Sequence, residues 1–199
     1  MSSLFEELSR QLTGSRAAEL GRSLGADPAA TEKAIPAALA TLMGALARNT
    51  DRSDGAEALF GALARDHDGS VLNDLDGFLS KAGSSGGEAI LGHVLGGRRG
   101  DVESRLSQTT GLDGTSASQL LAMLAPLVLG ALGKAQREGG LGARDLSAML
   151  GGERQRIREK APQGFDMLGQ LLDSDGDGDY KDDIARIGSS LLGSLFKNR

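Results

Sequence analysis

Six aspartates crowd the stretch Leu172-Asp173-Ser174-Asp175-Gly176-Asp177-Gly178-Asp179-Tyr180-Lys181-Asp182-Asp183-Ile184. Counted from Asp173, Asp stands at loop positions one, three and five, and Gly178 at six. That spacing is the front half of an EF-hand-type calcium loop. A hard divalent cation takes oxygen ligands, and alternate residues of a tight loop turn theirs inward. Gly178 permits the sharp turn, the carbonyl of Asp179 is the seventh-position ligand, and Tyr180 supplies the apolar eighth. The back half departs from the pattern. Lys181 stands at position nine and Ile184 replaces the bidentate glutamate at twelve. Asp182 or Asp183 can close the cage in a tighter loop, and Asp183 is the better placed, because Ile184 belongs to the apolar face of the following helix. The expected metal ligands are therefore Asp173, Asp175, Asp177, Asp179 and Asp183. Without the bidentate glutamate the expected affinity for Ca²⁺ is on the order of 10⁻⁴ M or weaker.

Other polar residues are poorer candidates. Asp66-His67-Asp68-Gly69 is a second Asp-Gly loop, but Ala64 stands at its first ligand position, so it reads as a turn before a helix near Asn73. His93 lies in the apolar run Ile90-Leu91-Gly92-His93-Val94-Leu95-Gly96 and reads as a hydrogen-bonded core histidine. Gly96-Gly97-Arg98-Arg99 has the residue types of a phosphate cradle, yet lacks a preceding strand and the spacing of either nucleotide fingerprint. It reads as a helix end. No serine sits in a nucleophile elbow or a Ser-x-x-Lys pattern. No acid, base and nucleophile set assembles, so the chain reads as a non-enzyme.

Helices must position the acidic loop, because apolar residues recur at helical spacing almost throughout. Leu4, Leu8 and Leu12 line a first helix, and Ser15 is placed to cap a second through Leu20 and Leu24. Asp27-Pro28 marks a strong helix start, an acidic cap followed by proline at the first turn. That helix runs to about Arg48, with a kink expected at Pro36. Further helices are expected from Asp54, over Asn73–Leu79, Glu88–Leu95 and Asp101–Thr109, from a Ser116 cap to about Arg137, and over Asp145–Lys160, Phe165–Leu172 and Asp182–Phe196. No alternating strand pattern stands out. The fold class is all-α, a compact multi-helix bundle.

Composition narrows the rest. The 199 residues include no Cys and no Trp, one Tyr, five Phe and 30 Gly. There is no disulfide framework and no cysteine-ligated zinc. The core must be Leu, Ala, Val, Ile and Met, packed through close helix approach. The N-terminus lacks the basic start and unbroken apolar centre of a secretion signal. The longest uncharged apolar run, Leu120–Gly133, is 14 residues against the roughly 20 of a membrane span. A cytoplasmic protein without a transmembrane segment is expected. Net charge is −5, and Asp173 to Asp183, with six Asp and one Lys, carries all of it.

Gly25, Asp27 and Gly44-Ala45-Leu46 recur 86 positions later as Gly111, Asp113 and Gly130-Ala131-Leu132. This points to two pseudo-repeated units, 1–85 and 101–160, inside a helical domain over 1–160. Residues 161–199 then form a helix–loop–helix carrying the Asp-rich segment.

Three segments carry a family resemblance. Asp68-Gly69-Ser70-Val71-Leu72-Asn73-Asp74-Leu75, Ile90-Leu91-Gly92-His93-Val94-Leu95-Gly96 and Leu124-Ala125-Pro126-Leu127-Val128-Leu129-Gly130-Ala131-Leu132-Gly133 together resemble the YidB-like family of bacterial proteins, domain of unknown function 937. Leu95 and Leu129 replace the Phe and Met expected there, a change of volume. The resemblance implies an all-α, homeodomain-like fold and no activity.

Two functional readings follow. The first is a calcium-responsive helical interaction protein with a protein partner or a second copy of itself. The final stripe, Ile184, Ile187, Leu191, Leu192, Leu195 and Phe196, supplies a docking face. The second is a helix-turn-helix nucleic-acid binder over Arg16–Leu46. Its second helix carries only Lys33 and Arg48 as cations, too few for a phosphate footprint, so no nucleic-acid partner is expected.

Overall fold

The computed structural model describes residues 3–80 and 86–160, which lie in one compact unit. Among them are nine α-helices and no strand. They are α1 (Leu4–Gln11), α2 (Ser15–Leu24), α3 (Pro28–Asn49), α4 (Ser53–Asp66), α5 (Leu75–Ser80), α6 (Gly87–Leu95), α7 (Arg99–Thr110), α8 (Gly114–Gly139) and α9 (Ala143–Lys160). Short 3-10 turns precede α5 (Ser70–Asp74) and α7 (Gly96–Arg98). The expected helices at Phe165–Leu172 and Asp182–Phe196 lie outside the described residues.

Local signals set most helix ends. Ser3 and Glu6 form a reciprocal capping box on α1. Asp27 caps α3 by accepting from the Ala30 amide at 2.9 Å, with Pro28 as first helical residue. Asp113 caps α8 in the same way, accepting from the Ser116 amide at 3.0 Å. Ser116 was the expected cap; it lies inside the helix, and its hydroxyl donates to Asp113 Oδ2 at 2.6 Å and lies 3.3 Å from the Leu24 carbonyl at the end of α2. Ser15 is likewise the first residue of α2, and Gly14 precedes it. Gly25 and Gly111 end α2 and α7 at φ +63° and +82°, a left-handed turn that a side chain would oppose.

The two long helices, α3 and α8, pack against each other at the centre, and the shorter helices surround them. In α3 burial covers Ile35, Leu39, Leu42, Met43 and Leu46, and in α8 it covers Leu120, Leu121, Leu124, Leu127, Val128 and Leu132. Aliphatic side chains build this core, as a chain so poor in aromatics requires. By length and composition α8 alone, among the described helices, is apolar enough to cross a membrane, and 78% of its most apolar window is buried inside this fold.

Both central helices run on through an internal proline, Pro36 and Pro126. Pro126 has no N–H, so the Ala122 carbonyl loses its helical donor. The start of α6 rests there. A Cβ built on Gly87 would stand 2.1 Å from that carbonyl oxygen, so only glycine lets α6 come so near.

Candidate functional site

The Asp173–Asp183 loop, with Asp173, Asp175, Asp177, Asp179 and Asp183, lies outside the described residues. Within the described residues no three His, Asp or Glu side chains converge to hold a metal ion.

The first Asp-Gly loop is used structurally. Asp68 accepts from the Ser70 amide at 2.9 Å, and the Ser70 hydroxyl, followed by this amide, holds its carboxyl below the ordinary value of 3.8. Arg137 of α8 stands 3.9 Å away. Asp74 accepts from the Gly77 amide at 2.9 Å and so begins α5. The loop sits on α8, where the His67 carbonyl comes so near Gly133 that a Cβ there would lie 1.8 Å from it.

The histidines divide differently from the sequence expectation. His93 is exposed on α6, not buried in the core. Helical alternation explains this. Leu91, Val94 and Leu95 take the inward face, and His93 falls between them on the outer one. His67 is the half-buried one, and burial pulls its pKa below 6.5 against the opposing effect of Asp66.

A consequence can be measured. The unfolded chain takes a proton on His67 more readily than the folded one. Stability therefore falls as pH drops below about 6.5. Asp68, Asp76 and Asp113 are held below 3.8 by their hydrogen bonds, so their contributions fade only in stronger acid. The melting temperature should decline between pH 7.5 and 5, and the decline should be smaller in His67→Gln. Equal slopes in the two proteins would exclude His67 as its source.

Arg99 closes a polar network where α6, α7 and α8 meet. Its Nε donates to Glu103 Oε1 at 2.6 Å and its Nη2 to Ser118 Oγ at 3.0 Å, and it also pairs with Glu88. The Ser118 hydroxyl donates to Glu103 at 2.7 Å. With two carboxylates on its guanidinium, Arg99 stays fully charged and is occupied in joining helices. Gly96 caps α6 at φ +54°. The Gly96-Gly97-Arg98-Arg99 segment thus serves as a helix end and corner.

Sequence reading missed Glu153. It is 2% exposed on α9, accepts from the Phe5 amide at 3.1 Å and from Arg156 Nη1 at 2.9 Å. A carboxylate at the first turn of α1 meets unpaired N–H groups and the positive end of the helix dipole. Nothing near Glu153 in sequence signals this, because Phe5 lies 148 positions away.

These features define an all-helical protein in which every interhelical charge cluster described so far holds helices together. The chain belongs to the family "Bacterial protein of unknown function (DUF937)", whose match covers residues 6–135. The match runs from α1 into α8 and stops before α9 and the Asp-rich loop. No curated protein and no solved structure matches the chain.

Proposed function

We propose that this is a non-enzymatic bacterial interaction protein whose Asp173–Asp183 loop binds calcium. The observation that carries the reading is the run Asp173, Asp175, Asp177 and Gly178, a ligand–ligand–ligand–turn order. Asp173, Asp175, Asp177 and Asp183 supply carboxylates and Asp179 its carbonyl. One further fact supports it. The loop holds the whole charge excess of the chain, and six mutually repelling carboxylates favour a bound cation.

Calorimetric titration with Ca²⁺ tests the site. The expected result is a dissociation constant on the order of 10⁻⁴ M and a higher melting temperature at millimolar Ca²⁺. The double variant Asp175→Asn/Asp177→Asn should lose both. No heat and no thermal shift in the parent protein would overturn the proposal. Light scattering with calcium and with chelator then reads self-association.

The same reading takes the fold as two repeated four-helix units, α1–α4 and α6–α9, and moves the second unit's start from 101 to 87. Every link within each unit is three residues long: 12–14, 25–27 and 50–52 in one, and 96–98, 111–113 and 140–142 in the other. Pro36 and Pro126 each stand 13 residues before the end of their helix, and α8 is four residues longer than α3 at its start. The repeat offset accordingly passes from 86 to 90 within the long helix, ahead of the prolines, and this puts the match of Gly44-Ala45-Leu46 with Gly130-Ala131-Leu132, at an offset of 86, out of register.

Homeodomain-like use of the α2–α3 corner fits less well. A recognition helix needs a free face for the groove. In α3, Ala34, Ile35, Ala37, Ala38 and Leu39 are all buried.

A further inference from the structure

The fourth helix of each unit packs on the other unit. After a three-residue link from α8, α9 settles chiefly on α3 and α4, with a smaller contact to α1, and α8 is not among its main partners. In reciprocal fashion α4 packs on α8 and α9 and has no substantial contact with α3, its own predecessor. The anchors of α9 repeat the pattern. Glu153 accepts from the Phe5 amide, the Ser147 hydroxyl donates to the Thr50 carbonyl at 2.8 Å, and Arg154 Nη1 reaches Asp51 Oδ2 at 3.0 Å. All three partners belong to the first unit.

We infer that α9 is an exchangeable arm, and that the α3–α4 surface holding it is an interface for α9 of a second copy of this chain. The occupant follows from the surface itself, because Phe5, Thr50 and Asp51 are matched to Glu153, Ser147 and Arg154. Two chains trading α9 keep every one of these contacts. The hinge is built for it. Gly140 turns the chain at φ +59°, and a glycine leaves that conformation for a helical one without a side-chain penalty. Opened, the hinge lets α8 and α9 run on as one helix and carry α9 away from its own chain. The closed form has the advantage of an effective concentration on the order of millimolar, so the monomer prevails at micromolar protein. Exchange is independent of the calcium proposal, since none of its residues lies in the Asp-rich loop.

The chain has no cysteine, which makes the test direct. Asp51→Cys and Arg154→Cys are made singly and together, with folding checked by circular dichroism. The linker used is the shortest bismaleimide that joins the double variant internally. An equimolar mixture of the single variants, held near millimolar concentration, should then yield a covalent dimer linked between positions 51 and 154. Adding Gly140→Ala should raise that yield at least tenfold at fixed concentration, because alanine disfavours the left-handed hinge and favours helix. A Cβ at 140 meets nothing within 4 Å, so the change acts on the hinge alone. Internal linkage in the double variant with no 51–154 dimer in the mixture, even with Gly140→Ala, would overturn the inference.

Discussion

Gly133→Ala is expected to destabilise the protein by about 3 kcal/mol. The added methyl would stand 1.8 Å from the His67 carbonyl oxygen and 3.0 Å from its carbon. Both are backbone atoms at the end of α4, so no flexible side chain can move aside. Relief requires α4 and α8 to separate, which loosens the buried Leu63 as well. Gly44→Ala is the matched control. It too lies inside a long helix, but a Cβ there meets nothing within 4 Å. That variant should be more stable by up to about 1 kcal/mol, the ordinary helix preference for alanine. Urea denaturation of the two variants reads the difference. Similar midpoints would mean that α4 and α8 do not approach at Gly133 as described.

Glu153→Ala is expected to lower stability by about 2–3 kcal/mol, from a lost charge-assisted hydrogen bond and the space left behind. The Phe5 amide then has no acceptor, and α1 loses its tie to α9. Arg156 is well exposed and returns to water at little cost. Glu153→Gln keeps an acceptor and should retain about half of the effect. Hydrogen exchange locates the change. Protection should fall in α1 before it falls in α3 or α8, since α1 is a short outer helix. Unchanged protection of α1 would remove Glu153 from this role.

The expected and observed elements agree where the controlling interactions are local. Asp27-Pro28 starts α3 because a side chain caps an amide three residues on, and both partners are visible in a short window. The same interaction at Asp113 was assigned one turn too late, to Ser116, since Ser and Asp have the same capping chemistry and stand three residues apart. Gly96 was legible as a helix end for the same local reason. The candidate metal loop rests on residue spacing alone and lies outside the described residues.

The rest was not legible. His93 was read from the apolarity of its neighbours, while its place on the outer face of α6 depends on which side of that helix meets α8. The role of Glu153 depends on Phe5 from the other end of the described chain, and that of Arg99 on Glu88 and Ser118 from two further helices. Glycine is the clearest case. The same residue type makes the left-handed turn at 111, the contact with a bare carbonyl at 87 and the helix crossing at 133.

By itself the sequence determined the all-α class, most helix boundaries and the aliphatic character of the core. Each follows from interactions spanning a few residues or from composition. Only the tertiary structure decided that α4 packs on α8 and α9, that α9 packs on α3 and α4, which residues of α3 are buried, and which glycines are contacts. Those outcomes depend on which apolar faces meet, and an aliphatic stripe on one helix fits several others until backbone approach and long-range hydrogen bonds select one arrangement.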